Sequence, residues 1–301
     1  MASSHVSLIG AGRVFIGLRT GGKLRFVGQC KEYKLDFTEE TKELKDYVNG
    51  GGIADSVSFI SKVETSITFA SLSVKNLAMA LRGVDSVLAS QAFTSEARTA
   101  YPGGLIQLAG VGPTAVTLTL ALDAWVASTA YAVGQLVKPI AGTHYYECKT
   151  AGTSGAAAPA WKTDGTDTTD GTATWTDKGL RALAASEYEI TSAGIFIPDT
   201  SSKISEAGTP VEVAYTTTEG TNIEALVKAG EEYQVVFAGK NFARNGKPLS
   251  VDMYRVKFSA PKDLAFIGED FATLTLTGTV LNDDTKTGED ISAYCNIKMV
   301  V

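Results

Sequence analysis

The sequence predicts a mainly β protein, an antiparallel β-sandwich or barrel with one short packed helix and a small inserted β module. Three observations carry this prediction. The chain has 30 glycines and only 8 prolines, a balance that favours strands and turns over helices. Outside a central region, roughly a dozen segments alternate apolar and polar residues, as half-buried strands do. Only one stretch, residues 73–83, has convincing helical spacing.

The N-terminal block shows the strand pattern clearly. Residues 13–20 and 24–30 are two apolar runs separated by Gly-Gly-Lys, which predicts a hairpin. Residues 57–72 follow with alternation that is strongest from Val63 to Phe69. Leucine and threonine alternate near residue 118 and again near residue 275, so strands are expected there too. Such a set of strands suits one antiparallel sandwich or barrel.

Residues 39–56 break the strand pattern, because they are charged and then rich in glycine. They predict a long exposed loop. A loop of more than about 12–15 residues in a compact domain is often functional, although a disordered surface excursion has the same composition. Eight residues of this loop are candidates for contacts with a neighbouring chain: Glu39, Glu40, Lys42, Glu43, Lys45, Asp46, Tyr47 and Asn49.

The helix predicted over residues 73–83 begins at Ser73, a good N-cap, and ends at Gly83, a good C′ residue. Its apolar residues share one face: Val74, Leu77, Ala78 and Leu81. A helix of about ten residues is unstable alone in water. We therefore expect this face to dock on a sheet.

The composition changes at Asp123, and residues 123–182 look like a module inserted into a larger domain formed by residues 1–122 and 183–301. All three tryptophans of the chain lie in this insert. Large aromatic side chains can form the core of a small β module, and they can also stack on sugar rings. The candidates for glycan contact are Trp125, Tyr131, Tyr146, Trp161 and Trp175.

We recognise no enzyme motif in the sequence. It contains no nucleophile elbow, zinc-protease motif or phosphate-binding loop, so no catalytic, cofactor or metal residue is predicted. Its three widely spaced cysteines suggest free thiols rather than a disulfide framework. The net charge of −6 argues against tight wrapping of nucleic acid. Neither a secretory signal nor a membrane span is expected.

Five segments resemble the major tail tube proteins of long-tailed bacteriophages. They are GAGRVFIG (10–17), EETKEL (39–44), GGGIADSV (50–57), SVKNLAMALRG (73–83) and SAPKDLAFIGEDFATLTLTGTVL (259–281). The insert is similar to small modules of phage structural proteins that are akin to chitin-type carbohydrate-binding modules.

This resemblance implies a structural subunit of the virion, assembled in the host cytoplasm. Such subunits form rings, usually hexamers, that stack into a hollow tail tube through which DNA passes. The implied partners are other copies of the chain and the tape-measure, tail terminator and tail tip proteins. The loop at 39–56 would bridge rings, and the insert would project outward. The alternative is a carbohydrate-binding or surface-adhesion protein that acts through the tryptophan-rich insert.

Overall fold

The computed structural model describes residues 7–48 and 50–300. The chain forms two compact units, the first from residues 1–86 and 222–301 and the second from residues 87–221. The predicted insert, residues 123–182, lies wholly within the second unit. No helix in the described part of the chain has the length and apolar character needed to cross a membrane.

The elements are almost all strands, which confirms the predicted fold class. The first are β1 (Gly10–Leu18), β2 (Arg25–Phe26), β3 (Cys30–Lys45), β4 (Ile53–Phe69), α1 (Val74–Ala80) and β5 (Val84–Leu88). Next come β6 (Ala92–Ala100), β7 (Leu105–Gln107), β8 (Val111–Leu120), β9 (Ala130–Tyr131), β10 (Leu136–Val137), β11 (His144–Thr150), β12 (Gly152–Thr153), β13 (Thr168–Asp170) and β14 (Ala173–Leu180). The last are β15 (Glu189–Thr191), β16 (Gly194–Phe196), β17 (Thr209–Thr218), β18 (Gly220–Glu224), β19 (Glu232–Asn241), β20 (Lys247–Phe258), β21 (Leu274–Val280) and β22 (Cys295–Met299), with 3₁₀ turns at Ala185–Glu187 and Phe242–Arg244.

One antiparallel sheet dominates the first unit. Its strand order is β2-β1-β19-β20-β21-β4-β3, and β22 pairs with β20 beside this path. The predicted N-terminal hairpin is confirmed by the pairing of β1 with β2, where Phe15 lies opposite Phe26. The predicted alternation is confirmed as well, because Leu274 and Leu276 are buried while Thr275 and Thr277 are exposed. These leucines pack in a continuous apolar core with side chains from the other central strands: Val63, Ile67, Phe69, Val235, Met253 and Val256.

The helix α1 begins where the sequence predicts, because the Ser73 hydroxyl accepts the backbone N–H of Asn76 at 3.2 Å. The predicted apolar face is only partly correct. Leu77 packs against the core and Ala78 is buried, as predicted. However, Val74 is 41% exposed, and the polar residue Asn76 is fully buried. Asn76 donates its side-chain N–H to the Val27 carbonyl at 2.6 Å, and this bond turns a polar residue toward the core.

The end of the helix differs from the prediction. Arg82 takes the left-handed conformation, with φ at +49°, and Gly83 follows it. The Gly83 N–H bonds to the Ala78 carbonyl at 2.7 Å, and the Arg82 N–H bonds to the Met79 carbonyl at 3.1 Å, which is a Schellman motif. Gly83 is therefore C″ rather than C′. Glycine is required at this position for a steric reason, because a Cβ there would lie 2.5 Å from the Glu224 carbonyl oxygen.

The second unit contains two three-stranded sheets, β6-β17-β8 and β15-β16-β7, and the sheets of the insert, β10-β11-β14-β13 and β12-β9. Strands on both sides of the insert share one apolar cluster, which includes Leu118, Ile195 and Val213. Tyr145 of the insert packs in the same cluster. The insert is thus packed against its flanking strands, although it also has an aromatic core of its own.

Candidate functional site

The most unusual surface of the first unit is a two-stranded extension of its sheet. β3 and β4 pair along their whole length, from Cys30 opposite Phe69 to Lys45 opposite Ile53. β21 pairs with β4 only as far as Glu64. Beyond that point the two strands pair only with each other among the described residues. We call residues 37–62 the ribbon.

The structure corrects the prediction of a long loop over residues 39–56. Residues 39–45 and 53–56 are strand, and only residues 46–52 connect them. The prediction was wrong because every described residue of the ribbon is exposed except Asp46, which is half-buried. With both faces in solvent, the apolar and polar alternation that marks a half-buried strand is lost.

The structure distributes the eight candidate contact residues along this ribbon. Those on β3 are Glu39, Glu40, Lys42, Glu43 and Lys45. Asp46 and Tyr47 lie in the connection, where the Asp46 N–H bonds to the Gly52 carbonyl at 2.7 Å. Asn49 lies outside the described residues.

Apolar side chains on the ribbon are the feature that the sequence analysis missed. Among charged neighbours, several large ones are exposed: Phe37, Leu44, Tyr47, Val48, Ile53, Val57, Phe59 and Ile60. Val48 and Tyr47 at the tip are 91% and 84% exposed. On one face, Lys42 lies opposite Val57 and places its ammonium 5.7 Å from the Phe59 ring centre. The available signal was the recurrence of apolar residues at 53, 57 and 59–60 after the glycines.

The ribbon also exposes backbone hydrogen-bonding groups. β3 is the terminal strand of the sheet, and the outer half of β4 has β3 as its sole partner strand among the described residues. Unpaired N–H and C=O groups on a strand edge can accept a strand from another chain. This part of the molecule can therefore extend its sheet by intermolecular pairing.

The aromatic residues of the insert have a different environment. Trp125, Tyr146 and Trp175 are only 4%, 1% and 0% exposed. Trp161 and Tyr131 are half-buried and pack against that cluster. The Trp161 ring centre lies 4.4 Å from that of Tyr146 and 5.8 Å from that of Trp175. The structure thus brings the five candidate glycan residues together, but as a core and not as an open platform.

A buried carboxylate organises this aromatic core. Asp170 Oδ2 accepts the indole N–H of Trp125 at 2.8 Å and that of Trp175 at 3.0 Å. Its Oδ1 accepts the Gly155 backbone N–H at 2.7 Å. A buried charge requires such compensating hydrogen bonds. The tryptophans therefore have a structural partner, which the sequence alone does not identify.

In the part of the chain that the structure describes, the cysteine thiols are not activated as nucleophiles. The three cysteines are free, and burial raises the pKa of the Cys30 thiol to about 11. Burial also raises the pKa of Cys148 and of Cys295, so these thiols are protonated at neutral pH. Among the residues that the structure describes, no cluster of three or more His, Cys, Asp or Glu side chains could hold a metal ion.

A family model matches most of the chain. The model of a family described as "Protein of unknown function UCP028589" matches residues 7–145 and 150–298. The matched segments include most of both compact units and all of the insert except residues 146–149. No curated protein matches the chain.

Proposed function

Since the chain belongs to this family, whose description assigns no activity, we propose a function from the fold and the exposed surface: the protein is a structural subunit of a phage tail tube. It assembles with other copies of itself into rings, and the rings stack into a hollow conduit for DNA. The observation that carries this proposal is the ribbon, an exposed extension of the sheet with apolar side chains and unpaired edges.

Physical arguments favour a partner for the ribbon. At a rise of about 3.4 Å per residue, its nine-residue arm on β3 is roughly 30 Å long. A two-stranded ribbon is at best marginally stable in water. This one also exposes several large apolar side chains, and contiguous exposed apolar surface marks interaction sites. Contact with a second copy would remove this surface from water.

The form of the contact supports a ring or a tube. In the proposed assembly, the ribbon of one subunit packs on a different surface of the next subunit. Such a heterologous contact, repeated from copy to copy, closes into a ring or continues as a filament. Pairing along the edge of β3 would join the sheets of successive subunits, which would give the ring a continuous β wall.

The charge of the protein is compatible with DNA passage. The chain carries 27 basic and 33 acidic residues. Binding to DNA gains most of its affinity from cations that displace counterions, so an acidic tube would hold DNA weakly and let it slide. The further partners of this proposal are the tape-measure, tail terminator and tail tip proteins, and its location is the virion tail.

We do not propose glycan binding as the function of the insert. Burial of Trp125, Tyr146 and Trp175 favours their role as core residues. Stacking on a sugar ring needs an accessible aromatic face, and only Trp161 and Tyr131 of the five candidates remain half-exposed.

Electron microscopy of the purified protein tests the proposal. We expect negative-stain images of concentrated protein to contain rings or hollow cylinders, and sedimentation velocity to show mass that grows with concentration. Antibodies against the chain should label the tails of virions along their length. A protein that stays monomeric at high concentration, with no labelling of tails, would refute the proposal.

A further inference from the structure

A cavity of about 350 Å³ in the first unit has a charge opposite to that of the chain. It is bordered by α1, by β1 and by the segment that precedes β19. Its charged lining side chains are Lys23, Arg25, Lys75, Arg82, Lys228, Asp85 and Glu231. Five cations against two acids leave an excess of three positive charges, although the whole chain has a net charge of −6.

Arg25 is half-buried in this cavity, and no carboxylate of the described residues pairs with it. Its Nη1 donates to the Asn76 side-chain oxygen at 2.6 Å, and its Nη2 donates to the Lys75 carbonyl at 3.4 Å. Both acceptors are neutral. Burial lowers the pKa of the Arg25 guanidinium, because desolvation disfavours its charged form. A bound anion would offset that cost.

Arg82 is the second guanidinium without a counter-charge. Its Nη2 donates to the Phe258 carbonyl at 2.9 Å, while its buried Nε has no hydrogen-bond partner among the residues that the structure describes. Among the described residues, neither arginine forms an ion pair, and neither do Lys23 and Lys75. Cations without counter-charges create a positive potential that attracts anions.

The acidic residues of the cavity leave this charge largely unbalanced. Glu231 lies 3.8 Å from the Lys228 ammonium and accepts the Tyr233 hydroxyl at 2.8 Å. Asp85 is exposed at the rim. The remaining walls include apolar side chains of Ile16, Met79 and Phe258. Such a lining can accommodate the organic part of a ligand as well as its charge.

We propose that this cavity binds a phosphate group, either free or as the monoester of a small organic molecule. Guanidinium groups bind phosphate oxygens in a bidentate manner, and lysines add charge without a fixed geometry. The volume lies at the lower end of the range for small-molecule sites, so the cavity suits one phosphate and a small substituent. This inference concerns the monomer and does not depend on tube assembly.

Isothermal titration calorimetry on the full chain tests the site. The probes are inorganic phosphate and glycerol 2-phosphate at neutral pH, with ionic strength held constant by sodium chloride. We expect saturable binding with one site per chain. Tighter binding of the ester would identify an organic phosphate as the ligand, and equal or weaker binding would identify free phosphate. The Lys23→Gln/Lys75→Gln variant should bind at least tenfold more weakly, because both lysines line the cavity.

A matched control separates the site from general electrostatics. Lys31 and Lys262 are exposed and do not line the cavity, so Lys31→Gln/Lys262→Gln makes the same change in net charge and should bind normally. Both lysines of the test variant are exposed, and circular dichroism checks that it folds; if it does not, Lys75→Gln alone replaces it. Absence of saturable binding by the wild type, or equal affinities of the test and control variants, would overturn the proposal.

Discussion

The indole N–H of Trp125 donates to the carboxylate of Asp170 across 2.8 Å in the interior of the insert. Trp175 donates to the same oxygen at 3.0 Å, and the Gly155 backbone donates to the other oxygen at 2.7 Å. One buried side chain thus joins three segments of the insert. Such a shared acceptor fixes the relative positions of two large aromatic rings.

Removing this acceptor should destabilise the insert. In Asp170→Ala both indole N–H groups lose their partner inside the protein, at a cost of about 1–3 kcal/mol for each buried donor left unsatisfied. Tryptophan fluorescence during urea unfolding measures this effect, since all three tryptophans lie in the insert. Asp164→Ala is the control, because Asp164 is exposed and bonds to the nearby Thr166. Equal unfolding midpoints for the two variants would contradict the role of Asp170.

Asn76 should stabilise the first unit through its two side-chain bonds. Asn76→Ala leaves the Val27 carbonyl without its donor and the Arg25 guanidinium without its acceptor at 2.6 Å. We expect a loss of about 1–3 kcal/mol for each orphaned group that stays buried. Urea unfolding followed by circular dichroism measures the loss. The control is Lys75→Ala, at the exposed neighbouring position of the same helix, which should change stability by less than about 0.5 kcal/mol. If Lys75→Ala lost as much stability as Asn76→Ala, the side-chain bonds of Asn76 would have no special role.

The tip of the ribbon should control assembly without affecting the fold. Val48 is 91% exposed, so Val48→Asp should leave monomer stability within about 0.5 kcal/mol of the wild type. In an assembled tube the same change would place a charge in an apolar contact, which is strongly unfavourable. We expect the concentration needed for assembly, measured by sedimentation, to rise at least tenfold. The matched change Val133→Asp, at a 66% exposed position in the insert, should assemble normally; normal assembly by both variants would exclude the tip from the contact.

The pair of Glu232 and Arg255 predicts a pH dependence of stability. Arg255 donates from Nε and Nη2 to the two carboxylate oxygens at 2.7 and 2.8 Å. These bonds are the main reason that the pKa of Glu232 is lowered. A carboxylate with a lowered folded-state pKa stabilises the fold above its unfolded-state pKa of about 4.3. That contribution is lost as the pH falls through the folded-state value.

Glu232→Gln should therefore unfold at lower urea concentration than the wild type at pH 7. The difference should shrink as the pH falls below about 4 and should disappear once the wild-type carboxylate is protonated. Glu269→Gln, which changes an exposed carboxylate, serves as the control. A difference between Glu232→Gln and the wild type that is the same at pH 7 and in acid would show that Arg255 does not act through charge.

Local patterns predicted the parts of the fold in which one face is buried. The inner half of β4 and the whole of β21 alternate because their apolar side chains enter one core. The outer half of β4 could not be recognised in this way, because both of its faces are exposed. Its strand conformation comes from pairing with β3, and pairing between distant segments leaves no periodic signal in a single sequence.

Residues whose structural role depends on distant parts of the chain could not be predicted either. Ser73 caps its helix through a bond three residues away, so its role was evident from the sequence. Gly83 lacks a side chain because of Glu224, which is far away along the chain. In the insert, the aromatic residues suggested both a core and a ligand surface. Which of the two they form depends on the buried partner Asp170, which lies 45 positions from Trp125.

The pairing of β1 with β19 sets the order in which the protein can fold during synthesis. The Ile9 N–H bonds to the side chain of Asn241, 232 positions later in the chain, and Gly10 lies opposite the same residue. β1 can pair with β2 early, but the ribosome completes residues 87–221 before β1 can pair with β19. Closing so long a loop is entropically costly and slow. If the protein assembles as proposed, the sheet that carries the ribbon is complete only after β22 has been synthesised, and this order would keep incomplete chains out of a growing polymer.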